Sequence, residues 1–151
     1  MVFAASVSGL RVEKLTDDVR LEDWRHVHNA VIPTHQLSLD DVRERVLRNR
    51  LEVAYLGDEL VGCTTVRPPS DSTTATVIAR VLPAYRRQGF GTELYERALE
   101  EARALGPEVI ETVVLESNPD GLRFALRHGF VEVERYILPG DTIPYITLRL
   151  P

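Results

Sequence analysis

Tyr85-Arg86-Arg87-Gln88-Gly89-Phe90-Gly91-Thr92 joins an apolar, strand-like segment to an amphipathic segment of helical period. A glycine turn in this place adopts backbone angles closed to other residues. The helix that follows presents unpaired N–H groups and the positive end of its dipole. Such a junction makes an anion site, and Arg86 and Arg87 set two fixed positive charges beside it. A phosphate-bearing ligand is the natural occupant.

Three glycine-turn patterns compete for this stretch. A P-loop needs a lysine directly after its second glycine, and no lysine lies near the turn. A dinucleotide fingerprint needs a third glycine where Leu94 stands and belongs to an early strand-helix-strand unit, although Glu111 sits at the right distance for a ribose-binding acid and keeps that reading open. The third pattern is Arg-x-x-Gly-x-Gly, filled by Arg86, Gly89 and Gly91. Here the sequence resembles the GNAT superfamily of acyl-CoA-dependent N-acyltransferases, whose pyrophosphate loop has this form. Val81-Leu82-Pro83-Ala84-Tyr85 looks like the family's lead-in, and Asn118, Phe124 and Gly129-Phe130 are similar to its second motif in the expected order. The resemblance covers roughly the central and C-terminal two thirds of the chain; the first third matches only in its pattern of elements.

The resemblance implies a single domain over residues 1–151, a mixed α/β fold whose mostly antiparallel central sheet of about seven strands, splayed near the cofactor site, carries about four helices. It implies acetyl-CoA or another acyl-CoA as donor and a primary amine, on a small molecule or a protein, as acceptor by direct attack. Arg86, Arg87, Gln88, Gly89, Phe90, Gly91 and Thr92 would cradle the pyrophosphate, and the backbone at Ala79 and Val81 would meet the pantetheine amides. Asn118 would contact the pantetheine arm, cap the next helix beside Pro119, or do both. The connection between the first two helices forms one wall of the acceptor pocket in the family, which makes Trp24 and His35 acceptor-contact candidates; helix packing explains Trp24 equally well.

One departure from the family matters. The residue after Phe124, commonly a tyrosine acting as general acid, is Ala125. Tyr95, Tyr136 or His128 would then protonate the leaving thiolate, or water would, or the protein would bind acyl-CoA without turning it over. His128 lies one helical turn beyond Ala125 and shares its face. Glu116, at the end of an apolar strand just before Asn118, is the candidate general base, with an exposed strand-end carboxylate as the plainer reading. Arg80 interrupts the apolar run Val77 to Val81 and either meets an acidic acceptor or pairs with a neighbouring carboxylate.

Elsewhere the pattern is regular. Leu10 to Leu15, Leu51 to Leu56, Leu60 to Val66, Thr73 to Leu82, Val109 to Leu115, Val131 to Leu138 and Thr142 to Leu150 read as strands. A first helix carries Leu21, Trp24, Val27, His28 and Val31 and ends before Pro33. A second opens on a Ser38/Asp41 capping box, with Leu39, Val42, Val46 and Leu47 inward. The helix after the glycine turn buries Leu94, Ala98, Ala102 and Leu105, with Glu93 and Arg97 placed for an exposed pair.

Composition excludes other classes. At 151 residues, 44% hydrophobic and 27% charged, the chain suits one soluble domain, and a net charge of −5 argues against nucleic acid. Met1 to Val7 is too short and lacks the positive flank of a secretory signal, and no run reaches membrane-spanning length, so a cytoplasmic location without a membrane partner is expected. Cys63 is alone and reads as a buried thiol. His26 and His28 do not share a helix face and no cysteine pair exists, so no metal site is expected. The C-terminal strands offer a sheet edge on which a homodimer would form.

Overall fold

The computed structural model describes residues 9–70 and 73–151. Met1 to Val7, and Asp71 and Ser72 of the loop after Arg67, lie outside the described residues. In chain order the elements are β1 (Leu10–Lys14), α1 (Asp18–Val31), α2 (Leu39–Arg48), β2 (Arg50–Leu56), β3 (Glu59–Arg67), β4 (Thr74–Val81), α3 (Phe90–Arg103), β5 (Val109–Leu115), α4 (Pro119–Arg127), β6 (Val131–Tyr136) and β7 (Tyr145–Arg149). One turn of 3-10 helix, Pro83–Tyr85, links β4 to the glycine turn.

Local chemistry sets the helix starts. Asp17 caps α1 by accepting from the Arg20 amide, and Ser38 and Asp41 close a reciprocal capping box on α2. Asn118 caps α4, its Oδ1 accepting from the Gly121 amide at 3.1 Å, with Pro119 at the first helical position. The expected inner face of α2 is only half right. Val42 is buried, whereas Val46 and Leu47 are exposed, Leu47 by 85%, because the helix packs on α1 and β2 and its last turn overhangs the layer.

The strands form one sheet in the order β1-β2-β3-β4-β5-β7-β6, antiparallel throughout except where β4 meets β5. Two layers of helix cover it. On one face Val66, Ala75, Val77, Val114, Ile146 and Leu148 pack with Tyr95, Ala98, Ala102, Ala125 and Phe130 of α3, α4 and the following turn. On the other, Leu51 and Cys63 pack with Leu21, Trp24, Val27 and Val42 of α1 and α2. Arg97 of α3 reaches the buried Glu52 on β2 through two hydrogen bonds of 3.1 Å. A carboxylate so enclosed persists because it is paired in this bidentate manner.

Two features place the site. Gly62 on β3 lies so close to β4 that a Cβ there would sit 2.3 Å from the Arg80 carbonyl oxygen, and a register shift in the β2–β3 ladder adjoins it. The β4–β5 ladder stops after Thr74, Ala75 and Thr76 have met Val109, Ile110 and Glu111. Beyond that point β4 stays paired with β3 as far as Val81, and β5 with β7 as far as Leu115, while the two strands part from each other.

His28, buried under α1 and stacked on Trp24, is pushed down to about 4 from an ordinary 6.5 by burial, reinforced by the charge of Arg80. The folded state refuses a proton that the unfolded chain accepts, so this contribution is complete above pH 6.5 and is lost as pH falls toward 4. Its full size is about 3 kcal/mol. Thermal midpoints measured across that range should therefore fall for the wild type and fall less steeply for His28→Gln; equal slopes would remove His28 from the acid sensitivity.

Candidate active site

Where β4 and β5 part, a cavity of about 1090 Å³ opens between them. Val77 to Val81 line one side and Thr112 to Leu115 the other. It reaches both faces of the sheet: Tyr95, Ala125 and Phe130 belong to the α3/α4 side, Val31 and Ile32 to the end of α1. At one end lie Arg86, Arg87, Gly89, Gly91 and Thr92; at the start of α4 lie Asn118, Asp120 and Gly121.

The glycine turn has the geometry of an anion cradle. Gly89 is the N-cap of α3 at φ +84°, Arg87 takes φ +62°, and the position where Gly89 would carry a Cβ faces open space. The first backbone bond of the helix runs from the Glu93 amide to the Gly89 carbonyl, so the amides of Phe90, Gly91 and Thr92 precede the ladder. A family model described as the acetyltransferase (GNAT) family matches residues 15–130. The chain belongs to the GNAT acetyltransferase family.

An uncharacterised N-acetyltransferase of Bacillus subtilis, YvbK, is 31% identical to this GNAT chain over 93 residues, which span 62% of the chain and 60% of that protein. Two solved structures share its fold. A Salmonella typhimurium protein, YncA, solved with its cofactor acetyl-CoA, superposes at a TM-score of 0.72 with 17% identity, covering 95% of this chain and 94% of that one. The ribosomal-protein-S18-alanine N-acetyltransferase of Escherichia coli gives a TM-score of 0.73 with 19% identity, covering 94% and 93%.

The residues present fit a coenzyme A donor. A pyrophosphate needs backbone N–H groups and a left-handed glycine, both supplied at Gly89 to Thr92, and a pantetheine arm needs an unpaired strand edge, supplied by Val77 to Val81. Arg87 is exposed and, among the described residues, in no ion pair, which leaves its guanidinium free for phosphate. Arg86 lines the cavity and carries a structural task besides the one expected of it. Its Nε donates to the Val81 carbonyl at 3.0 Å and its Nη1 to Asp120 at 3.1 Å, so it braces the end of β4 to the start of α4 across the mouth of the gap. Asp120 also binds Arg123, and the two arginines hold its carboxyl below the ordinary carboxylate range. Asp120 escaped the sequence reading because its partner Arg86 lies 34 residues away and no local pattern marks it. Gln88 and Phe90 do not line the cavity; the Phe90 ring is buried under the turn, which leaves only its amide for a ligand.

His128 is brought to the cavity, with both ring nitrogens engaged. Nδ1 lies 2.8 Å from the Phe124 carbonyl and must donate to it, so in the neutral ring Nε2 accepts from the Thr92 hydroxyl at 3.2 Å. The ring also lies against Phe124 and edge-on to Tyr95. Held by these two bonds, His128 positions the Thr92 hydroxyl beside the glycine turn. Tyr95 lines the cavity, and burial raises its phenol above the ordinary tyrosine value, keeping it protonated.

Glu116 and Trp24 are placed away from the chemistry. Glu116 is exposed, pairs with Arg135 of β6 at 2.8 Å and is absent from the cavity wall, a strand-end carboxylate tying β5 to the sheet edge. Trp24 is fully buried, its indole N–H donating to the Thr64 carbonyl at 3.2 Å, so it touches core and not acceptor; deleting such a side chain costs about 3–5 kcal/mol. His35 stands in the α1–α2 connection, bonded to Asp141 at 2.6 Å and edge-on to Tyr145. Cys63 is buried beside Arg80, and burial pushes its thiol up to about 12, which makes it inert. Among the described residues no cluster of ligands suits a metal ion, and no helix is long and apolar enough to cross a membrane.

Gly89→Val forces a β-branched residue into the left-handed region and should reduce acetyl-CoA affinity by more than about tenfold while the fold survives. Arg87→Ala should weaken it by about 1–3 kcal/mol. Calorimetric titration of both variants decides these points, and unchanged affinity in both would move the anion site elsewhere.

Proposed function

We propose that this protein transfers an acetyl group from acetyl-CoA to a primary amine by direct attack. The observation that carries the reading is the gap between β4 and β5, headed by the Gly89 turn and open to both faces of the sheet. Bound there, acetyl-CoA supplies an activated thioester, which a neutral amine attacks to give an amide and the free thiol.

The chain's own residues do the remaining work. Amides of Phe90, Gly91 and Thr92 and the positive end of α3 hold the pyrophosphate, with Arg87 beside them. The free edge of β4 orders the pantetheine arm and offers backbone N–H groups where the oxyanion develops. A free thiol titrates near ~8.5, so the thiolate leaves without a strong acid and Ala125 is compatible with turnover. Asp120 is the one carboxylate on the cavity wall among the described residues, and Arg86 and Arg123 occupy it. With that carboxylate occupied, the amine loses its proton to solvent before attack.

A second reading, an acyl-CoA-binding module without turnover, draws on one observation: Ala125 puts a methyl group where the family commonly carries a phenol, and the ring nitrogens of the nearby His128 are both engaged. It keeps the same cofactor site and removes the reaction.

Thermal unfolding in the presence of acetyl-CoA, free coenzyme A, NADH and ATP separates the ligand classes, since ligand at about 100 times its Kd adds about 2.7 kcal/mol of stability. A rise with the two coenzyme A ligands alone is expected. Thiol release over a panel of amines should follow, with kcat/KM climbing as pH approaches the pKa of each amine and the same profile in Glu116→Gln. A dinucleotide-specific shift would overturn the donor, binding without release would establish the module, and a profile altered by Glu116→Gln would restore that carboxylate as base.

A further inference from the structure

Of the ionised groups on the α1/α2 side of the sheet, Arg45, Arg67 and Arg80 stand out, for none of them makes an ion pair among the described residues. Arg80 and Arg67 share a sheet face. In the β3–β4 ladder Cys63 meets Arg80, Thr65 meets Ile78 and Arg67 meets Thr76, so the two guanidinium stems flank one intervening pair. That pair carries the Thr65 hydroxyl, which is buried and has no hydrogen-bond partner. Arg45 approaches from α2, close enough that its charge acts on both Arg67 and Arg80. Burial is the leading influence on each of the three and lowers them all below the ordinary arginine value, and their mutual repulsion adds to it for Arg67 and Arg80. Of the three, Asp41 and Glu44 act on Arg45 alone, and like charges gathered in a part-buried place with no ion pair of their own carry a cost that the anion of a ligand would offset.

Nearby carboxylates are engaged elsewhere. Asp141 is held by His35, Asp41 by the capping box on Ser38, and Glu44 by Arg48. Arg80 joins this cluster to the gap, since it also lines the cavity, next to Ala79 on the free edge of β4. Tyr145 lies within the fields of Arg45 and Arg80, and it stacks on Tyr136, with His35 edge-on. The His35–Asp141 bond ties the α1–α2 connection to the β6–β7 loop and fences this end of the site.

We propose that the acceptor is a small amino acid-like molecule whose carboxylate or phosphorus oxyanion is bound by Arg80 and Arg67, with Arg45 completing the counter-charge, while its amine enters the gap. This rests on the acetyltransferase reading and narrows its acceptor. The overall charge of −5 points toward cationic acceptors, but the field at the site belongs to the three arginines and not to the distant surface acids, which salt screens. A polyamine would meet like charge here.

The test measures thiol release from acetyl-CoA with L-methionine, L-glutamate and aminomethylphosphonate, each beside a partner without the key anion (L-methioninamide, L-glutamine amide and methylamine), and with spermidine and an alanine-initiated peptide. Acids should exceed the partners that lack the anion. Arg80→Gln and Arg67→Gln should lower kcat/KM for the acids about 10- to 100-fold, chiefly through KM, with little change for the amides. Acetyl-CoA must raise the thermal midpoint of each variant as it does the wild type, which shows that the fold and donor site persist. Equal or better turnover of amides, spermidine or the peptide overturns the inference, as does an equal loss on acids and amides in the variants. If the acetyl-CoA-loaded protein neither turns over nor is stabilised by any acid of the panel, the inference falls while the donor site stands. Failure of acetyl-CoA itself to shift the midpoint would instead bring down the underlying reading.

Discussion

Hydrogen bonding between β4 and β5 ends after three pairs of residues, and the site depends on that termination. A sheet interior normally satisfies every backbone donor and acceptor, so two inner strand edges left unpaired create a demand that side chains, water or a ligand must meet. Each strand is paired on its far side, β4 to β3 and β5 to β7, so only the two edges that face each other are left free. Gly62 draws β3 tightly against β4 at Arg80, and Arg86 ties the end of β4 to the start of α4. The gap is thus bounded by continuous ladders on both sides and braced at its mouth.

Electrostatics within the domain are sorted by position. Most surface arginines stand in exposed pairs, such as Arg43 with Asp40 and Arg25 with Glu22, each contributing a fraction of a kcal/mol. Arg97 with Glu52 is different, because the carboxylate is enclosed and would be stranded without its partner. Arg87 and the trio of Arg45, Arg67 and Arg80 are among the arginines in no ion pair within the described residues, and of these four Arg87 and Arg80 line the gap. On the proposed reading, Arg87 meets the phosphates at the start of α3 and Arg80 the anion of the acceptor on β4.

Much of this was legible in the residues, and what was not has a common physical cause. The glycine turn, the Ser38–Asp41 box, the Asn118 cap and the strand periods are local, readable within a few residues, and the structure has each of them where the pattern puts it. Long-range choices were hidden. Nothing near Arg86 announces Asp120, nothing near Glu116 announces Arg135, and the helical spacing of Trp24 is the same whether the ring faces a pocket or the core. The overhang of Val46 and Leu47 follows from where α2 sits on the layer, which period alone does not determine. Arg80 stood out as a charge in an apolar strand, but its neighbours Arg67 and Arg45 come together only once β3 and α2 are in place.

The gap reaches from the α3/α4 layer to the end of α1, so the sheet acts as a partition with a window in it. A molecule seated in one compartment does not bar the doorway of the other. On the proposed reading, donor and acceptor then approach from opposite compartments, and the reacting atoms meet within the thickness of the partition, between the strand edges of β4 and β5.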